Sequence, residues 1–213
     1  MSGLPRFKGD RTVRAIAVAL LLVLASSAEA KAQDWWWQFS YNMATTAGET
    51  RDFVDSFSFR GVGFQGRKMM DFNNTWSLGF DLGWQVFNDK GFGSSVLAEE
   101  QKSVITGTAF RYINSFPVLA NAHYYLGNRE RGRSGSLGFV GLNAGVYYIE
   151  ARTEAGLFAV TTDNWHFGAA PEVGIAFPAG RTVLTGTVRY NWTAKSGDVD
   201  YQYWSFNVGI ASR

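Results

Sequence analysis

The 213-residue sequence has no cysteine, two histidines and four prolines. Without cysteine there is no disulfide framework, and two histidines cannot complete a Cys/His zinc site. No metal and no cofactor are therefore expected. Residues 33–213 also lack any apolar run near the roughly 18 residues that announce a spanning helix. An excess of positive charge is missing from the same region. Five of the 20 basic residues (Arg6, Lys8, Arg11, Arg14, Lys31) and two of the 18 acidic ones (Asp10, Glu29) precede residue 33, so the net charge of +2 belongs to that leader. No nucleic-acid partner is expected.

The leader itself has three parts. A basic start is followed by AIAVALLLVLA from Ala15 to Ala25, an apolar run of 11 residues, and then by small residues at Ala28, Ala30 and Ala32. The run is too short to span a bilayer and the small-x-small sites suit a signal peptidase, so residues 1–32 read as a secretory signal peptide and 33–213 as the mature domain.

What is abundant is aromatic residues and glycine, with 17 Phe, 9 Tyr, 8 Trp and 24 Gly. Both suit β structure. Period two runs through the chain. In TWSLGFDLGWQVF, residues 75–87, Trp76, Leu78, Phe80, Leu82, Trp84 and Val86 share one face, and Ser77, Gly79, Asp81, Gly83 and Gln85 the other. Residues 182–193 and 202–211 repeat the pattern, with Tyr190, Trp192 and Trp204 among the large rings. A soluble sandwich would turn its oily face inward and carry Lys and Glu outside. Here the polar face is small and mild, while the large rings crowd the oily face, as in a barrel with lipid outside. Trp76 and Trp84 are eight residues apart. At about 3.3 Å per residue and a tilt near 40°, that is roughly 20 Å along the bilayer normal, close to the spacing of two aromatic girdles.

Eight strands are expected, at about 35–45, 54–67, 75–87, 104–126, 137–151, 164–178, 182–194 and 202–211. They form an all-β, antiparallel, up-and-down transmembrane barrel. The fourth contains Pro117 and is kept as one kinked strand, because splitting it would give an odd strand number. In the second, alternation slips near Gly61, which predicts a bulge. Outer loops are expected at 46–53, 88–103, 152–163 and 195–201, with inner turns at 68–74, 127–136 and 179–181.

The girdle is assigned to Trp35, Trp37, Trp76, Trp84, Tyr190, Trp192 and Trp204. In QDWWWQFSY, Trp35 and Trp37 then face lipid. Trp36 faces inward, either as a stopper or as packing against Gln38. The interior of so small a barrel is just wide enough to be filled by side chains. Its polar network is assigned to Arg60, Asp81, His123, Glu172 and Arg189, with Asn143, Tyr147 and His166 as further inward groups. Arg60–Asp81 and Glu172–Arg189 are expected to pair across neighbouring strands. Such pairs serve a closed polar plug or an ion pathway, the plug being the simpler reading.

Residues 113–211 carry a family resemblance. FPVLANAHYYL, LGFVGLNAGVYYIEA, WHFGAAPEVGIAFPAG and TVLTGTVRYNW follow one another as in the second half of the OmpW/OprG-like outer-membrane barrels, which the chain resembles. Two positions depart from that pattern: the chain ends on Ala211-Ser212-Arg213, not on an aromatic residue, and Phe139 stands where a tyrosine is usual. The resemblance implies passage of small apolar molecules through a narrow lumen with a lateral opening. The expectation is thus an outer-membrane protein of a Gram-negative cell, a narrow channel for small, hydrophobic molecules. Its partners are outer-membrane lipid, the barrel insertion machinery and a small-molecule ligand. The alternative is a structural or adhesive surface barrel with a blocked lumen. A lipid A-modifying enzyme is a lesser alternative, since neither His123 nor His166 has a serine beside it on its face, and no catalytic residue is assigned. Asp198 and Asp200 in the last outer loop read as a solvated acidic turn more readily than as a cation site.

Overall fold

A computed structural model describes residues 35–70, 75–96, 104–126, 136–156, 158–180, 182–196 and 199–212. The expected signal peptide, most of the second inner turn and Asp198 lie outside the described residues. The strands are β1 (Trp35–Ala47), β2 in two segments (Phe57–Ser58 and Arg60–Met69), β3 (Trp76–Val96), β4 (Val104–Leu126), β5 (Leu137–Ala155), β6 (Phe158–Ala179), β7 (Thr182–Thr193) and β8 (Gln202–Ser212); a short helix, α1, spans Gly48–Phe53. Each strand pairs antiparallel with its neighbour in sequence, and β1 pairs with β8 from Trp37↔Ser212 to Ala47↔Gln202, closing an eight-stranded barrel. Closure leaves no strand edge within the cylinder, so each strand there has a neighbour on both sides to pair with.

Alternation decides what points where. On β8, Tyr203, Ser205, Asn207 and Ala211 are buried inside, while Trp204, Val208 and Ile210 are exposed. The outward surface is the more apolar one: Phe39, Trp165 and Phe167 are 62%, 60% and 76% exposed. A continuous band of this kind is solvated by lipid. Two aromatic belts bound it. At the end where β1 begins and β8 finishes, Trp35 stacks on Trp37 at 5.5 Å and Trp76 meets Tyr124 at 4.9 Å. At the other end, Trp84, Phe116, Tyr148 and Trp165 follow one another across β3 to β6 at 6.3, 6.1 and 5.2 Å, and Tyr190 meets Trp204 at 4.8 Å.

The fourth strand is continuous. Pro117 has no N–H to give, and β3–β4 pairing skips from Leu82↔Val118 to Gln85↔Ser115 without a change of register. Two expected loops are strands instead. β3 and β4 stay paired out to Val96↔Val104, and β5 and β6 to Ala155↔Phe158, so much of 88–103 and 152–163 is ladder. Beyond the aromatic belt neither face meets lipid, so the alternation that marks a strand in sequence disappears there while the hydrogen bonding continues. β2 stops pairing with β3 at Arg60↔Val86 and β7 stops pairing with β6 at Gly168↔Thr193, so β3 to β6 project as a four-stranded wall.

The bulge lies one step before its expected place, at Phe59-Arg60. Phe57 and Phe59 both point outward with Ser58 inside, then Arg60 is exposed and Gly61 buried. β2 and β3 come close enough that a Cβ at Gly79 would lie 1.9 Å from the Gly66 carbonyl oxygen. Gly79→Val is therefore expected to prevent closure between these strands. The check is gel mobility before and after boiling: wild type shifts on heating, and the variant is expected to run only as the unfolded band.

Candidate functional site

The interior is layered. At the end where β1 begins, Trp36, Ala176, Val183 and Ala211 form one apolar cluster, and Met69, Tyr125, Leu137 and Phe139 another. At the opposite end, Ala44, Val54, Phe87, Ile113, Ile149 and Tyr203 belong to a third. Between them lies a polar band that the strand alternation produces, because the inward positions of β2, β3 and β7 here are polar or glycine and β6 adds Glu172.

Arg189 of β7 ties the band together. Its Nη2 lies 2.5 Å from Asp81 Oδ2 across the lumen on β3, and its Nε donates to Glu172 Oε2 on neighbouring β6 at 2.8 Å. The other Glu172 oxygen contacts His123 Nε2, and Asp81 Oδ2 also accepts from Gln65 Nε2. Arg67 donates through Nη1 to the Tyr125 hydroxyl at 3.2 Å and through Nη2 to Gln38 Oε1, with its Cζ 5.6 Å from the Phe139 ring centre. Two guanidinium groups thus share the band with two carboxylates. All four of these charged side chains are nearly fully buried, so this balance is required: an uncompensated charge there would be very costly.

The sequence-assigned Asp81, His123, Glu172 and Arg189 therefore meet in one network; Asn143 and Tyr147 are also buried inside but bond outside that network, Asn143 donating to the Ala170 carbonyl at 2.9 Å and Tyr147 to Asn191 Oδ1 at 3.2 Å. His166 is also buried, its Nδ1 3.2 Å from the Ala194 carbonyl oxygen. Arg60 does not join them. The bulge turns it outward, where it is exposed, and Asp81 takes its cation from Arg189 instead. The missing inward cation is Arg67, which shares its face with Gly61, Gly63 and Gln65. Counting on from lipid-facing Val62 and Phe64, beyond the bulge, reveals it; counting from Phe57 and Phe59 across the bulge does not.

Of the girdle residues, Trp37, Trp76, Trp84, Trp192 and Trp204 are 43–49% exposed on the outward face, while Trp35 and Tyr190 are half-covered by their neighbours. Trp36 is buried inside, with its ring edge-on to Tyr125 at 6.2 Å.

The opposite end is roofed by α1. Val54, which follows it, is fully buried in the third cluster, the Thr50 hydroxyl accepts the Gln202 N–H at 2.6 Å, and Lys195 reaches Glu49 at 3.1 Å. Burial raises the Asp200 pKa, but the Gln202 amide 2.8 Å away and the Lys195 charge outweigh it and hold the carboxyl below its usual range. Within the barrel the space beside Asp81, Arg189 and Tyr203 is about 20 Å³, room for one water. Above α1 a cup of about 710 Å³ opens, lined by Phe53, Arg111, Ala151, Val160, Val199 and Tyr201 among others. Among the described residues no cluster of three or more metal-ligating side chains occurs.

No protein-family model matches the sequence, and no curated protein does. Solved structures do match. Neisserial surface protein A is 13% identical, with a TM-score of 0.53 over 84% of this chain and 96% of that one. The attachment invasion locus protein of Yersinia pestis, Ail, is 15% identical, with a TM-score of 0.43 over 84% and 96%. The N-terminal β-barrel domain of Pseudomonas aeruginosa OprF is 9% identical, with a TM-score of 0.45 over 83% and 96%. The fold is that of the small eight-stranded outer-membrane β-barrels.

Arg189→Met would leave Asp81 and Glu172 buried without their shared cation. Its expected cost is about 3–5 kcal/mol, read from the urea midpoint of the barrel in detergent by tryptophan fluorescence. Arg60→Ala, on the outward face, is expected to change the same midpoint by no more than about 0.5 kcal/mol.

Proposed function

We propose that this chain is an outer-membrane barrel of a Gram-negative cell whose lumen is closed, and that it acts at the outer surface through its roofed mouth and projecting wall. The observation that carries this reading is the layering: a charge-balanced polar band sealed by apolar clusters at both ends, with α1 and Val54 packed over one of them. By the rule that such barrels have short turns inside and long loops outside, the end with α1 and the wall faces outward. Outer-membrane lipid then covers the apolar belt, and the barrel insertion machinery and a cleaved signal peptide over 1–32 belong to the same reading. Both imidazoles point into the closed interior, away from the lipid surface where a lipid A-modifying site would have to stand. That favours a role other than catalysis.

A second reading, a narrow channel for small, hydrophobic molecules, is favoured by the apolar lining of the outer cup and by the resemblance to OmpW/OprG-like barrels. The two differ in conductance and flux. The refolded protein in planar bilayers and liposomes is expected to give no stable conductance steps and no sugar-driven swelling. Trp36→Ala is expected to leave both flat, because the ionic band and the outer cluster remain in place. Conductance steps in wild type, or a pore opened by Trp36→Ala alone, would overturn the closed-lumen reading.

A further inference from the structure

We propose that the outer cup is a binding site for one small amphiphilic anion, an apolar body with a carboxylate head, and that Arg111 selects the charge. At about 710 Å³ the cup is within the range of roughly 300–1,000 Å³ typical of small-molecule sites. Its floor is the upper surface of the outer apolar cluster, where Phe53, Ala151 and Tyr201 pack, and Val160 and Val199 wall it. A floor of this kind holds a hydrocarbon body in place.

Arg111 supplies the polar anchor. Its Nη1 donates to the Phe53 carbonyl at 3.1 Å and its Cζ lies 5.5 Å from the Phe53 ring centre, which fixes the plane of the guanidinium at the cup. A guanidinium has five N–H donors, and a planar fork of them matches a carboxylate. Among the described residues no ion pair involves Arg111. Three acids share its surroundings, none of them in an ion pair with it. Glu49 is taken by Lys195 at 3.1 Å, and Asp89, opposite Arg111 on β3, has its Oδ1 on the Lys90 N–H at 2.7 Å. Asp52 is exposed at the rim, where water and salt screen it. An anion with an apolar tail therefore satisfies the half-buried cation and the floor together, and a neutral tail satisfies the floor alone. This site does not depend on whether the lumen conducts.

The test uses the whole barrel in nanodiscs of zwitterionic lipid, titrated calorimetrically with decanoate below its micelle concentration, with empty nanodiscs as the blank. Saturable binding of one decanoate per barrel is expected, with n-decanol binding more weakly. Arg111→Met is expected to weaken decanoate about tenfold and leave decanol unchanged, and Thr162→Trp, which fills the cup from its exposed wall, to abolish both. Heat-shifted gel mobility confirms that each variant is folded. No saturable heat above the blank, decanoate affinity unaltered in Arg111→Met, or decanol binding as tightly as decanoate would each overturn the proposal.

Discussion

Inside hydrocarbon every backbone N–H and C=O must be satisfied within the protein, and where the described residues hold no helix long and apolar enough to span, the solution is a closed antiparallel sheet. The rest of this structure follows from that constraint. Closing only eight strands leaves a lumen that side chains can fill. Because successive residues alternate between lipid and lumen, the same strands that carry Trp and Phe outward must carry small or polar groups inward. The interior is therefore polar by necessity, and the protein has to neutralise what it buries.

It does so across the barrel. Arg189 bridges carboxylates on β6 and β3, and Arg67 is held by Gln38, Tyr125 and the face of Phe139. Tying β7 to both β6 and β3 also joins opposite walls of the cylinder, which ladder hydrogen bonds cannot do. The apolar clusters on either side keep water from this network and so strengthen its electrostatics. The roof made by α1 belongs to the same logic, because burying Val54 completes the outer cluster and creates the floor of the cup.

Much of this was legible in the sequence, for a physical reason. Where one face meets lipid and the other the lumen, period two is enforced residue by residue, and segments such as 75–87 and 202–211 display it. Legibility fails where that contrast fails. The wall of β3 to β6 beyond the belt has solvent on its faces and lost its alternation. The bulge at Phe59-Arg60 reversed parity, hiding Arg67 and misplacing Arg60. The Asp81–Arg189 contact joins strands that are not neighbours, and periodicity informs only about neighbours. A six-residue helix such as GETRDF is too short for a helical period to appear.

Because the chain has no cysteine, one introduced thiol reports on one place. The closed lumen is tested most directly with Ser205→Cys, whose side chain lines the small space beside Asp81 and Arg189, against Thr162→Cys in the outer cup. With a membrane-impermeant maleimide on the folded, reconstituted barrel, the cup thiol should react readily and the lumen thiol only after unfolding. Comparable labelling rates at the two positions in the folded state would contradict the account.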